Sequence, residues 1–408
     1  MRVVFFNRSF YPDVTATGQL LTELCQGLVK DYGWEVTVVA GRAMVVGDPH
    51  ERRGFIGLFK RESFCGIEVL RVNNTTFEQS IFLGRILNYF SYFVLAFFAS
   101  FFIKKIDLVV TLTDPPIVVL LGLWVCRCKG VPLVISIRDL FPEAARGLQG
   151  VQNRLMDFIL EKINQLCFSR ATSLVALGKS MRSRLVEKGI QENKITIIPD
   201  WANTEEIFPI DKRNEFSLRY GLADYFVVMY AGNIGVSCGL EFVMPVAEQL
   251  RSFEDIVFVF VGEGIMKKRL QNIAQQVKLE NVRFFPYQRR ALLPQVFSTA
   301  DCFLLTLKNG LSGYSIPSKI YSILASGRPY IACVDNDSDI SEITERFQCG
   351  VLCPSYDSSQ LKDKIIYLYR QKDLRVKMGL NARQASYLFD LRKGVKKYHE
   401  LFQRLLNS

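Results

Sequence analysis

The stretch Val227-Val-Met-Tyr-Ala-Gly-Asn-Ile-Gly235 decides how the chain folds. Residues 227–230 are apolar and rich in β-branched side chains, and read as a strand covered on both faces. Gly232 and Gly235 then let the backbone turn tightly and come close to a ligand. From residue 239 to residue 250 apolar side chains recur at helical spacing. Strand, glycine turn and helix N-terminus together suit an anion, most often a phosphate, and the same parts also make an ordinary strand-to-helix turn. The surrounding sequence has to choose between the two.

Length and composition narrow the field. A chain of 408 residues exceeds one typical core and predicts two domains of roughly 200 residues each. With 49% hydrophobic and 22% charged residues it is globular rather than disordered. A formal charge of +11 favours an anionic membrane surface, phosphorylated ligands or nucleic acid. Nucleic acid is the weakest of these, because no long basic run and no nucleic-acid motif is present. Ten cysteines show no disulfide framework, and two histidines leave no zinc spacing. The chain opens on a strand with no signal peptide, which predicts a reducing cytoplasm.

The first half reads as a doubly wound sheet. A strand over 2–6, a loop holding Pro12, a helix over 18–30 and a strand over 35–40 make a βαβ opening. Gly18 lies beyond the carboxyl end of the first strand, where such sheets hold ligands and where simple connecting loops also run. Residues 41–64 read as an irregular surface excursion, and 67–72 as a strand. Residues 81–103 are the most hydrophobic stretch, uncharged from 86 to 103 and followed by Lys104-Lys105. A buried core helix and a helix lying in the membrane interface fit it equally; a true span fits less well, since strands continue on both sides. A strand ending at Ser136 leads into Arg138-Asp-Leu-Phe-Pro-Glu143. Asp139 and Glu143 at that edge are candidates for a base or a sugar-hydroxyl anchor, or Asp139 for a helix cap. Residues 199–214, polar and punctuated by proline, are the best linker.

After the linker the alternation restarts, with strands expected at 227–230, 256–261, 282–285, 302–306, 330–333 and 350–353. Val261-Gly-Glu-Gly264 is a second glycine turn before a basic helix, and Phe285-Pro-Tyr-Gln288 ends the third strand of this half. The small-residue loop Gly310-Leu-Ser-Gly-Tyr-Ser-Ile-Pro-Ser-Lys319 enters a helix whose first turn holds Ser318 and Lys319. There a hydroxyl, an ammonium and free N–H groups suit a diphosphate, while a plain cap and a solvated charge are the bland alternative. Asp335-Asn-Asp-Ser-Asp339 contains Asp-x-Asp twice, a spacing suited to a divalent cation, but it precedes a helix and predicts Asp337, Ser338 or Asp339 as its cap.

These pieces, taken in order, resemble glycosyltransferase family 4, and within it the colanic-acid-type polysaccharide branch. They are Tyr11-Pro-Asp-Val-Thr-Ala-Thr-Gly-Gln19, Arg138-Asp-Leu-Phe-Pro-Glu143, Ile198-Pro-Asp-Trp-Ala202, Tyr230-Ala-Gly-Asn-Ile-Gly235, Val261-Gly-Glu-Gly264, Pro286-Tyr-Gln288 and Pro317-Ser-Lys-Ile-Tyr-Ser-Ile-Leu-Ala-Ser-Gly-Arg-Pro329. The resemblance implies the α/β GT-B fold, two Rossmann-like doubly wound domains facing a cleft. Residues 1–205 would bind the acceptor, 206–390 the nucleotide-sugar, and a terminal helix over 391–408 would cross back to the first domain. It implies retaining transfer without metal or other cofactor, from a nucleotide-sugar (UDP-sugar favoured) to a lipid-linked or saccharide acceptor, with no nucleic-acid partner and peripheral contact at the inner face of the plasma membrane.

By position, the resemblance makes Asp139 and Lys319 catalytic. Gly18, Gly232, Asn233 and Gly235 would hold the donor's phosphates, Gly262, Glu263 and Tyr287 would line the nucleoside, and Ser315, Ser318 and Ser322 complete the donor site. Asp13 and Glu143 would meet the acceptor. The chain departs from the family where Asn233 and, approximately, Cys238 stand in place of Arg and Lys, and Tyr314 and Ser322 in place of an acidic pair. Lys319 is then the charge that the glycine turn lacks. Two competing readings are an epimerase or nucleotide-sugar hydrolase on the same scaffold and a non-catalytic binding subunit.

Overall fold

The computed structural model describes residues 1–43, 55–77, 82–146 and 154–407. They form two compact units, one of residues 1–146, 154–199 and 391–407 as far as they are described, the other of Asp200–Asp390.

The first unit is built in chain order from β1 (Arg2–Phe6), α1 (Ala16–Tyr32), β2 (Glu35–Ala40), β3 (Phe59–Phe64), β4 (Ile67–Val72), α2 (Phe82–Ser100), β5 (Leu108–Leu112), α3 (Val118–Lys129), β6 (Leu133–Ser136), α4 (Glu143–Arg146), α5 (Arg154–Arg170), β7 (Ser173–Ala176), α6 (Lys179–Glu187) and β8 (Ile195–Ile197). Among the described residues its sheet runs β3-β4-β2-β1-β5-β6-β7-β8, parallel except for the antiparallel edge pair β3–β4. The central strands carry unbroken aliphatic runs because helices cover both faces: Val3–Phe6 and Leu108–Val110 are at most 1% exposed. The edge strand β3 corrects the expected irregular excursion over 41–64. Its charged run Lys60-Arg61-Glu62 hid it, since an edge strand needs no apolar run. Residues 44–54 of that excursion, the expected helix start at Ile81 and residues 152–153 lie outside the described residues.

The second unit follows with α7 (Glu215–Arg219), β9 (Phe226–Ala231), α8 (Val243–Gln249), β10 (Ile256–Val261), α9 (Lys267–Gln276), β11 (Val282–Phe285), α10 (Leu293–Ser298), β12 (Cys302–Thr306), α11 (Lys319–Ala325), β13 (Tyr330–Cys333), α12 (Asp339–Phe347), β14 (Gly350–Cys353), α13 (Ser358–Arg370) and α14 (Lys372–Ser386). Its sheet is parallel, in the order β11-β10-β9-β12-β13-β14. Between β9 and α8 the chain makes two short 3₁₀ turns, Val236–Cys238 and Leu240–Phe242, hinged on Gly239 in the left-handed region at φ 60°. The expected helix over 239–250 is therefore shorter at its start. Ser338 caps α12 by accepting from Ser341 N–H at 3.1 Å.

The last helix, α15 (Leu391–Leu406), packs in the first unit. Phe402 meets Phe5 with ring centroids 6.3 Å apart, and Ser136 Oγ lies 2.7 Å from Tyr398 Oη. His399 stacks on Tyr32 at 3.9 Å and accepts from Trp34 Nε1 at 3.0 Å.

Candidate functional site

In each sheet the direction of strand order reverses beside the first strand, between β1 and β5 and between β9 and β12. Loops leaving the carboxyl ends of those strands diverge there and leave a crevice. In the second unit the loop after β9 is the glycine turn 232–235, and the loop after β12 leads to Lys319. Topology thus brings together residues far apart in the chain. A β-carbon added to Gly232 would lie 3.6 Å from Lys319 Cε and 3.8 Å from Nζ. The loop between β12 and α11 is tied down at Gly310, whose N–H donates to Asp335 Oδ2 at 3.0 Å.

Lys319 is held in an unusual way. Its ammonium sits 3.8 Å from the centre of the Tyr230 ring and donates to the Tyr230 hydroxyl. Cys238 Sγ is 4.0 Å away. No carboxylate lies within ion-pair distance of it among the described residues. The Tyr230 hydroxyl in turn donates to Asn233 O at 2.7 Å, which fixes the phenol between the turn and the lysine. Burial pushes the Lys319 pKa below its usual value, and the Cys238 thiol pushes it partly back. Burial would raise the Cys238 thiol, but the Lys319 charge, the Tyr230 hydroxyl and the Gly235 amide outweigh it and leave it lowered. A desolvated cation resting on an aromatic face and beside backbone is ready to take up an anion.

The turns after β9 and β10 interlock. Gly232 N–H donates to Val261 O at 2.9 Å, Ile234 N–H to Glu263 O at 2.8 Å, and Gly262 N–H to Phe285 O at 3.0 Å. The strands keep pairing a little beyond their ends, so these three amides serve the protein and are not turned to a phosphate as the glycine-turn reading expected. Glycine is required here for close packing. Gly262 sits at φ 152°, and a β-carbon there would lie 1.9 Å from Gly232 O. Glu263 pairs with Lys267 at 2.7 Å, and Lys267 also donates to Gly262 O at 2.9 Å. Tyr287 lies near enough to Tyr230 to help raise its phenol pKa, after the larger effect of burial. Ser315, Ser318 and Ser322 are half-buried, and Ser318 begins α11 without making a side-chain cap.

In the first unit the corresponding edge holds a different cluster. Arg8, 4% exposed, pairs with Asp114 at 3.3 Å, and Ser9 Oγ donates to the same carboxylate at 3.2 Å. Burial disfavours the Arg8 charge, yet Asp114, Tyr89 and Asp13 raise its pKa overall. The Tyr89 phenol is pushed up to about 12 by burial and by Asp114, with Asp139 contributing. Asp139 is positioned by Thr113, whose hydroxyl oxygen accepts from Arg138 N–H at 3.0 Å and from Asp139 N–H at 3.3 Å. Asp13, Arg8, Asp114 and Asp139 therefore share one electrostatic neighbourhood. Gly18 sits in the first turn of α1 with its N–H capped by Thr15 Oγ1 at 3.4 Å. Glu143 Oε1 takes a 2.7 Å bond from Lys188, which also binds Glu161 at 2.8 Å.

Sequence reasoning missed Tyr230, Arg8, Asp114 and Tyr89 as site residues, and met Cys238 only as an approximate departure from the family's pattern. One signal was available, a tyrosine near the end of an otherwise apolar strand, whose hydroxyl needs a partner when buried. Among the described residues no group of three or more His, Cys, Asp or Glu is placed to hold a metal ion.

Known proteins match both halves. The family described as "Glycosyl transferase 4-like domain" matches residues 15–201, and the one described as "Glycosyl transferases group 1" matches residues 213–385. The chain is 27% identical over 380 residues to the "Putative colanic acid biosynthesis glycosyl transferase WcaI" of Escherichia coli strain K12, covering 88% of this chain and 89% of that protein. It is 26% identical over 258 residues to the "Probable glycosyltransferase WbjE" of Pseudomonas aeruginosa, covering 62% and 64%. The crystal structure of Anabaena HepE in complex with UDP-glucose superposes with a TM-score of 0.72 at 15% identity, over 99% of this chain and 100% of that one. With matched stretches over both sheets and the GT-B architecture of its structural neighbours, the chain belongs to the glycosyltransferases of group 1, with a family-4-like first half.

Proposed function

We propose that the chain is a retaining, metal-independent hexosyltransferase, moving a sugar from a nucleotide diphosphate, UDP in preference, to a lipid-linked or polysaccharide acceptor in cell-surface glycan synthesis. It works in the cytoplasm, at the inner face of the plasma membrane. The carrying observation is Lys319, a desolvated ammonium with no carboxylate partner among the described residues, laid on Tyr230 beside Gly232. The UDP-glucose complex of the HepE structure supports the choice of base, and the colanic acid role in the WcaI name supports the class of product.

In this reading the bond between the anomeric carbon and the diphosphate breaks while the acceptor oxygen bonds to that carbon, and the acceptor's proton passes to a base or to the departing phosphate. Lys319 stabilises the charge that grows on the leaving group, in a site where burial makes that interaction strong. Tyr230 positions the ammonium. Asp139 is the group assigned to the sugar side, with Asp13 toward the acceptor.

The test is turnover by purified protein with a panel of UDP-sugars and a polyprenyl-diphosphate-linked acceptor. Lys319→Ala is expected to lower kcat/KM by roughly 10²–10³, the usual cost of one group that stabilises a departing charge. Asp139→Ala is expected to lower kcat with little change in donor affinity. Wild-type rates in both variants would remove the assignment. Free sugar or an epimer formed without acceptor would favour a hydrolase or epimerase. Nucleotide binding without turnover would favour a non-catalytic subunit, the outcome that Tyr314 and Ser322 in place of an acidic pair make worth checking.

A further inference from the structure

The apolar helix α2 is two-sided. On one side Asn88, Tyr92, Ala96 and Ala99 are at most 1% exposed, and Tyr92 Oη donates to Val39 O at 2.8 Å in the sheet. That face is fixed in the core, so α2 does not span a bilayer in this fold. On the opposite side Leu83, Leu87, Phe90 and Phe98 are 64%, 43%, 59% and 52% exposed, and Phe101 and Phe102 just beyond the helix are 59% and 53% exposed. Their spacing lines them along one stripe of a 3.6-residue helix. A soluble surface rarely leaves so continuous an apolar strip uncovered.

Two neighbours extend the strip. Because β4, β5, β6 and β7 step in one direction across the sheet apart from the β2–β1 pair, right-handed crossovers put α2, α3 and α5 on the same face. From α3, Trp124 joins the aromatic cluster, 4.6 Å from Phe97 and 5.3 Å from Phe101. From α5, Leu155, Phe158 and Ile159 are 66%, 59% and 48% exposed.

The charge beside the strip is of one sign. All three helices run back along the strands, so their carboxyl ends collect at one edge of the sheet. There stand Lys104 and Lys105 after α2, Arg127 and Lys129 at the end of α3, and Arg170 at the end of α5, all exposed. Residues 82–106 and 115–138 contain no Asp or Glu. An aromatic strip ending in a row of cations matches a bilayer surface with anionic headgroups, the rings at the acyl boundary and the cations in the headgroup layer.

We propose that the α2–α3–α5 face of the first unit is a membrane-docking surface for anionic phospholipid, seated on α2's outer stripe and the basic rim at Lys104 and Lys105. The inference rests on the membrane part of the function proposed above and deepens it by naming the surface. Its test needs neither donor nor acceptor, so its failure leaves the transferase reading standing.

Full-length protein is sedimented with vesicles of phosphatidylcholine alone or with about a third phosphatidylglycerol, at low and high salt. Binding is expected to the anionic vesicles, weakened by salt. Lys104→Glu with Lys105→Glu is expected to weaken it by about thirtyfold or more, from about one kcal/mol for each basic residue at an anionic surface. Phe90→Ser with Phe98→Ser and Phe101→Ser is expected to weaken it at least tenfold even at high salt, with the circular dichroism of the folded protein retained because Tyr92, Ala96 and Ala99 still hold α2 in the core. Lys396→Glu with Lys397→Glu, on exposed α15 positions, is the control for net charge and is expected to change binding much less than the Lys104 pair. No binding to anionic vesicles, an equal loss in the α15 control, or self-association abolished by the phenylalanine changes would each overturn the proposal, the last by making a second copy the occupant of the strip.

Discussion

A lysine ammonium on a tyrosine ring, with a thiol beside it, is the feature of this protein from which most of its site chemistry follows. Because burial lowers the Lys319 pKa, the ammonium loses its proton at a pH below the ordinary lysine value of 10.5. In the proposed reaction the charged form is the one that holds the donor's diphosphate. Donor kcat/KM is therefore expected to be level at lower pH and to fall as pH rises through that lowered value. Cys238 is the group that pushes the lysine pKa partly back up, so Cys238→Ser is expected to move the alkaline limb to lower pH. A pH profile of kcat/KM for both proteins checks it, and an unmoved limb removes Cys238 from the site. Tyr230→Phe keeps the ring and removes the hydroxyl that holds Lys319. It is expected to raise the donor KM by roughly tenfold to a hundredfold, from the loss of a hydrogen bond to a charged group. Lys319 itself was legible in the chain, as a cation at the start of a helix after a small-residue loop. Its partners were not, because Tyr230 is 89 residues away and Cys238 81, and only the strand order joins them.

At the level of elements, most strands fell where unbroken aliphatic runs placed them, since a strand buried on both faces has nothing to alternate. The reading failed where burial was one-sided or local. It passed over β3, an edge strand with charged residues, and it began α8 too early, at the left-handed Gly239. Two element contacts invite direct tests. A β-carbon at Gly27 on α1 would lie 2.7 Å from Val395 Cγ2 on α15. Gly27→Ala is expected to destabilise the first unit by about 1–3 kcal/mol, the usual cost of overpacking, with recovery in the double variant Gly27→Ala, Val395→Ala. The second contact titrates. Desolvation holds His399 below its usual 6.5, and its unprotonated Nδ1 accepts the Trp34 indole N–H. The unfolded chain then binds the proton more readily than the folded one. The contribution is intact above pH 6.5 and is lost as pH falls from there through the lowered folded value. Thermal melts from pH 7.5 to 5 are expected to show this slope, and His399→Gln to flatten it.

The whole molecule consists of two units with separate sheets and separate cores. Unfolding of such a chain is not expected to be a single all-or-none step. Calorimetry is expected to resolve two transitions. A nucleotide that binds the Lys319 site, at a hundredfold excess over its Kd, adds about 2.7 kcal/mol to the unit that holds it. For a unit of this size that is a rise of roughly 5–10 °C. The expected outcome is that UDP moves one transition and leaves the other in place. Equal shifts in both, or in neither, would contradict a donor site confined to residues of the second unit.

The sequence by itself determined the class of fold. Runs of β-branched residues alternating with helix-period segments, repeated on either side of a polar linker, admit little but two parallel doubly wound sheets, because burial on both faces leaves that pattern and no other. Tertiary structure alone decided how those parts are used. It spent the amides of Gly232, Ile234 and Gly262 on strand pairing, tied Glu143 to Lys188, and turned one stripe of α2 into the core while leaving the other bare. Hydropathy along a chain records how apolar a helix is. Which of its sides is covered depends on neighbours supplied by residues far away in sequence.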